Sequence, residues 1–310
     1  MLDALSSLER HEEAIALSQK VQRALEKERG SDDPEVLIQL SNQAQLYELL
    51  DRLEDAELLW RRCLQGHEQR LDSNDDALLR CLHGLAQALL QLDRPAEAEP
   101  LYRRCLSGVE ASRGPEHPDT LRMVYDLAET LTALERFREA IPLRRRELAW
   151  CRSTNDPDTF WSVQKLATDL SAVGELEECE TLLREALAGF ERVLDPSDSI
   201  IGDMLRDVAT VLDDRGNLEE AIAFGERAIQ HFQLHRGSDN WHTNAERLVQ
   251  AQLLISDERQ TQAAALLDAV LNSLAAKKDA DDDDQTVLQT ARELRQSMGE
   301  RQASEPESPA

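Results

Sequence analysis

The chain has 310 residues, a formal charge of −26 and only 4% aromatic side chains. That much acid repels phosphate backbones and anionic bilayers, so neither nucleic acid nor a membrane surface is an expected partner. With 41% hydrophobic residues and few glycines and prolines, the composition argues against a sheet-rich sandwich and for a packed, largely helical core.

The N-terminus, Met1-Leu2-Asp3-Ala4, has no basic region leading into an apolar run, so no secretory signal is expected. No apolar stretch approaches the roughly 18 residues that span a bilayer. The five cysteines are an odd number and include no CxxC pair, which argues against a disulfide framework and a zinc knuckle. A reducing cytoplasm, no cofactor and no metal are the expectations.

Internal repetition organises the rest of the chain. A small residue recurs at Ala14, Ala56, Ala98, Ala140, Cys179, Ala221 and Ala263, with steps of 42 broken once by 39. A second small column, Ala44, Ala86, Ala128, Ala167, Ala209 and Ala251, lies twelve residues upstream and keeps the same register. An apolar column follows at Leu64, Leu106, Leu148, Leu187, Ile229 and Leu271. The units run 1–30, 31–72, 73–114, 115–153, 154–195, 196–237 and 238–278.

Each unit reads as two amphipathic helices. In the third, Leu78, Leu82, Leu85, Leu89 and Leu92 keep helical spacing, and Pro95 opens the second helix after Asp93-Arg94. Gly174 and Gly216 suit the left-handed residue that ends a helix. Asp33-Pro34, Asp156-Pro157 and Asp195-Pro196 place a capping acceptor before a proline, and His117-Pro118 does so less ideally. The small columns let paired helices approach closely.

After the repeats, residues 279–284 read as an acidic linker, 285–299 as a capping helix, and 300–310 as a disordered tail. The fold predicted is an all-α, right-handed α-solenoid of about seven helix hairpins with a C-terminal cap, forming one continuous array.

A two-helix unit with small residues twelve apart resembles the tetratricopeptide repeat. The 42-residue unit is similar to the kinesin light chain-type branch. The resemblance rests on Leu127-Ala128 with Glu139-Ala140, on the run from Ala98 to Leu106, and on Gly114-Pro115-Glu116-His117-Pro118-Asp119-Thr120. It covers residues 1 to about 278 and implies a groove lined by first helices that bind a partner chain. Carried onto this register, the groove columns hold Arg80 and His83, Arg122 and Tyr125, Trp161 and Gln164, and Arg206. Arginines with aromatic side chains have the composition of interface hot spots. The competing reading pairs these arginines with Glu129, Asp126 or Asp207, and packs Trp161 between repeats.

Other chemistry is sparse. There is no P-loop, GxGxxG or GxSxG. Cys63, Cys105 and Cys179 read as small buried hydrophobes. His231, His235 and His242 form a weak candidate for metal. The acid run from Asp279 lacks the glycine and glutamate of a calcium loop. The expected function is a non-catalytic adaptor taking a partner segment, acidic with apolar residues, in the groove. The alternatives are a peptide-sensing regulatory subunit, a metal protein built on the histidines, and an assembly that self-associates.

Overall fold

Five of the described hairpins begin with a side chain that satisfies an open N–H group of a first helix. Asp33 accepts from the Glu35 N–H (3.0 Å), Asp75 from Ala77 (2.8 Å), His117 Nδ1 from Asp119 (3.1 Å), Asp198 from Ile200 (3.0 Å) and Asn240 from His242 (3.0 Å). Two expected caps are displaced. Asp156 and Asp195 accept from residues two further on, and the helices start later, at Thr159 and Ser199. Asp198 sits closer to the helix than Asp195 and takes the capping place.

The computed structural model describes residues 11–70, 72, 74–275, 277 and 281–304. The first helix of the unit 1–30 falls mostly on residues 1–10, outside the described residues, as do 279–280 and 305–310. Fourteen helices are described: α1 (His11–Arg29), α2 (Pro34–Leu49), α3 (Leu53–Glu68), α4 (Asp76–Gln91), α5 (Pro95–Arg113), α6 (Pro118–Ala133), α7 (Phe137–Thr154), α8 (Thr159–Ala172), α9 (Leu176–Val193), α10 (Ser199–Asp214), α11 (Leu218–Arg236), α12 (Trp241–Ser256), α13 (Gln260–Ala275) and α14 (Asp282–Ser304). No strand occurs among the described residues. None of these helices is long and apolar enough to cross a membrane.

The chain divides into two compact units, Met1–Ser162 and Val163–Ala310. The division falls within α8, which has 14 residues where α6 has 16, at the repeat shortened by three residues.

In the first unit each helix packs on the next, and α2 also touches α4, so the first helices form one layer. Arg61 reaches Glu97 (3.1 Å) and Arg103 reaches Glu139 (2.8 Å), which joins the second helices in another layer. In the second unit, α10, α11, α12 and α13 pack successively, and α14 lies on α12 and α13. The layering is that of an α-solenoid. Exposed ion pairs of this kind contribute about 0–1 kcal/mol each.

Both small columns are buried along their described length. The turn inside every hairpin with a described turn contains one left-handed residue: Asp51, Asp93, Glu135, Gly174, Gly216 or Glu258. After each, an N–H closes back five residues, as from Arg94 to Leu89 O (2.9 Å) and Asn217 to Leu212 O (2.8 Å). The last helix is longer than expected. Asp281 accepts from the Asp284 N–H (2.8 Å), so Asp282, Asp283 and Asp284 form a first turn stabilised by the helix dipole, and residues 300–304 continue the helix.

Candidate functional site

The buried leucine stripe of α4 turns Arg80 and His83 to the opposite, accessible side. With Asp76, Arg113, Asp119 and Arg122 they line a cleft of about 260 Å³ between α4, α5 and α6, floored by Leu79, Cys105, Val109 and Met123. Arg113 pairs with Asp76 (2.8 Å) and with Asp119. Three guanidinium groups therefore face two carboxylates. Arg80 and Arg122 form no hydrogen bond or ion pair with a described residue.

The carboxylates that would have neutralised them are engaged elsewhere. His83 Nε2 lies 3.0 Å from Asp126 Oδ2. Glu129 is held by Arg144. On α6 and α8, Tyr125 is 38% exposed and Trp161 is 59% exposed, with the Trp161 indole meeting the Phe160 ring edge-on at 4.9 Å.

Arg144 is missing from the predicted groove. It is fully buried, lies 3.5 Å from Glu147 and holds its guanidinium 5.4 Å from the Tyr125 ring centre. Its column carries Trp60 and Tyr102 in the preceding hairpins, both buried. An arginine among aromatics was the legible signal. Burial pushes the neighbouring Glu147 carboxyl up, against the lowering effect of Ser162 and Arg144.

In the second unit two predicted site residues meet internal partners. Gln164 donates to Asp207 (2.6 Å), and Arg206 pairs with Asp203 (2.9 Å) and approaches Asp207 (3.9 Å). Acids within one helical turn satisfy the Arg206 guanidinium in its own helix. Gln164 and Asp207 occupy the columns of His83 and Asp126, so this pair recurs as a tie between neighbouring first helices. His83, Gln164 and Arg206 are engaged internally, while Arg80 and Arg122 remain exposed.

All five cysteines are buried. Burial pushes Cys105 up to about 12 and Cys179 up to about 11. Cys63 departs from the expected inert reading. The neighbouring Cys81 thiol draws Cys63 below the usual thiol range against the effect of burial, with His67 adding to the shift. Cys81 is correspondingly pushed up. Among the described residues, Cys63, His67 and Cys81 are the one group of three potential metal ligands whose ligand atoms lie within 4.8 Å of one another.

The three histidines near the α11–α12 turn do not converge in that way. The His231 and His235 ring centres lie 4.8 Å apart, His242 stacks on Phe232 at 5.7 Å, and His231 Nε2 meets Pro196 O at 3.0 Å. Burial lowers both His231 and His242, which favours neutral rings packed against aromatics.

Solved structures share this architecture. A putative kinesin light chain with nearly identical repeats from Podosopora anserina is 22% identical, covers 64% of this chain and 95% of its own, and superposes with a TM-score of 0.57. BtubC from P. vanneervenii is 20% identical over 74% of this chain and 92% of its own, with a TM-score of 0.54. The apo form of RapI is 11% identical over 86% of this chain and 97% of its own, with a TM-score of 0.53. At these identities the likeness shows the fold. No curated protein matches the sequence. The tetratricopeptide repeat family model matches residues 40–111, 78–153 and 158–233, more than half of the sequence. By this match, and by its buried alanine columns and paired helices, the chain belongs to the tetratricopeptide repeat family.

Proposed function

We propose that the chain is a non-catalytic adaptor whose first unit binds an acidic segment of a partner protein at the cleft of Arg80 and Arg122. The observation that carries this reading is the pair of arginines without ionic partners in a chain of charge −26. Most carboxylates near them are already engaged, so an incoming carboxylate meets two guanidinium groups that need not break an existing bond. Arginine forks bind carboxylates by paired, charge-assisted hydrogen bonds. Tyr125 and Trp161 offer apolar area to flanking side chains, as aromatic interface anchors do.

The preformed cleft keeps the cost of ordering on the adaptor side small. Selection of peptides from a random display library against the full chain tests the reading. Enrichment of Asp and Glu beside apolar residues, lost when the bait carries R80A and R122A, is the expected outcome. The same sequences emerging against both baits would remove the cleft from the account.

A further inference from the structure

We propose that Cys63, His67 and Cys81 form a binding site for a single thiophilic metal ion, with Cu(I) as its cation. Cys63 and His67 stand four residues apart on one face of α3, and Cys81 faces them from α4. The three residues are 0%, 6% and 1% exposed, and their ligand atoms lie within 4.8 Å of one another. Metal–sulfur bonds of about 2.3 Å and metal–nitrogen bonds of about 2.0 Å fit a ligand triangle of this size with little side-chain rotation.

The geometry belongs to the repeat. The same three columns are Cys105, Val109 and Met123 at the next junction, where the two sulfurs lie 3.4 Å apart. At the junction after that they are Glu147, Cys151 and Ser162, with Ser162 Oγ 2.9 Å from the Glu147 carboxylate and 3.5 Å from the Cys151 sulfur. The fold brings these columns together at successive junctions. Only at Cys63, His67 and Cys81 does the sequence supply two thiols and an imidazole; the corresponding residues further on are Ala186, Phe190, Met204 and then Ala228, Phe232, Glu246.

Thiolate and imidazole ligands select Cu(I) or Zn(II) among the common biological cations. A closed zinc site takes four ligands. No fourth His, Cys, Asp or Glu joins this group among the described residues. Three buried soft ligands therefore suit the lower coordination number of Cu(I). Binding releases the two thiol protons to solvent and ends the Cys63 donation to Leu37 O, now 2.9 Å. Copper enters and remains as Cu(I), so no electron is transferred. The bound ion would tie α3 to α4 across a repeat junction.

The test is a titration of the reduced full chain, without oxygen, using the Cu(I) acetonitrile complex in competition with a chromophoric Cu(I) chelator. One equivalent retained, a near-ultraviolet thiolate-to-copper band, X-ray absorption showing two sulfurs and one nitrogen, and a raised melting temperature are expected. C63S and C81S should each weaken retention about tenfold or more. C151S, at another junction, should retain the ion. Where a variant fails to fold, the X-ray absorption of the unaltered chain reports the ligand set directly. No retained copper, or a ligand shell without two sulfurs, overturns the site. One zinc held instead, with a fourth ligand, overturns the assignment to Cu(I).

Discussion

His83 and Asp126, 43 positions apart in sequence, are joined at 3.0 Å and tie α4 to α6. Arg122 lies four residues before Asp126 on the same helix, the spacing at which opposite charges pair. By holding Asp126, His83 leaves Arg122 open to the cleft. His83→Ala should therefore weaken binding of an acidic peptide severalfold and cost about 0.5–1 kcal/mol of stability. Adding Asp126→Asn should restore the affinity without restoring the stability. Calorimetric titration of both variants checks this, and unchanged affinity in His83→Ala contradicts the link.

Gly84 lies against the buried Trp60 ring. A Cβ at this position would lie 2.4 Å from Trp60 Cε2, and Trp60 is fixed from its other side by a 2.8 Å hydrogen bond to Glu48. Gly84→Ala should destabilise the chain by about 1–3 kcal/mol through overpacking, despite the better helix propensity of alanine. Urea unfolding measures the change, and a gain in stability would contradict the packing.

Glu135 occupies the left-handed turn position where Gly174 and Gly216 stand in later hairpins, with a φ of +57°. A side chain there costs about 1–2 kcal/mol, partly offset by the freedom that glycine adds to the unfolded chain. Glu135→Gly should stabilise by about 0.5–1 kcal/mol, visible as a higher melting temperature. A lower melting temperature would show that the glutamate contributes more than its backbone costs.

The hairpins were legible because crossing helices tolerate only small residues, and that constraint repeats in Ala56, Ala98 and Ala140. The helix starts were legible where the proline after the acceptor itself opens the helix, as Pro34 does after Asp33. They were displaced where a nearer acceptor followed, as Asp198 follows Asp195. The site was only half legible. Column positions placed Arg80 and Arg122, but nothing local to His83 or Gln164 announces a partner 43 residues away. The Cys63–Cys81 meeting was hidden for the same reason. Its members lie 18 residues apart on different helices, so no CxxC spacing marks it. The burial of Arg144 had a signal in its aromatic column, which a reading confined to first helices passes over.

Glu246, on α12, is 2% exposed, and burial pushes its carboxyl up from 4.5 to about 7; Asp207 and Asp203 add to the rise and Arg206 opposes it. An acid raised in the folded state holds its proton more tightly than in the unfolded chain. Its favourable contribution is complete below about pH 4.5 and is lost as pH rises through about 7. Glu246→Gln removes this dependence. Relative to the parent, the variant should gain up to about 3 kcal/mol between pH 4 and pH 8. Unfolding in urea across that range tests it, and a constant difference between the two proteins would contradict the burial of the charge.

The most direct measurement is the affinity of a display-selected acidic peptide for the parent chain, for R80A R122A, and for R80E R122E. The arginines are exposed, so folding should be unaffected, as circular dichroism can verify. The alanine variant should bind about tenfold or more weakly, and the parent affinity should fall as salt is raised. The glutamate variant should lose the acidic peptide and take up its Lys-substituted counterpart. Equal affinity for the acidic peptide in all three proteins would contradict the account.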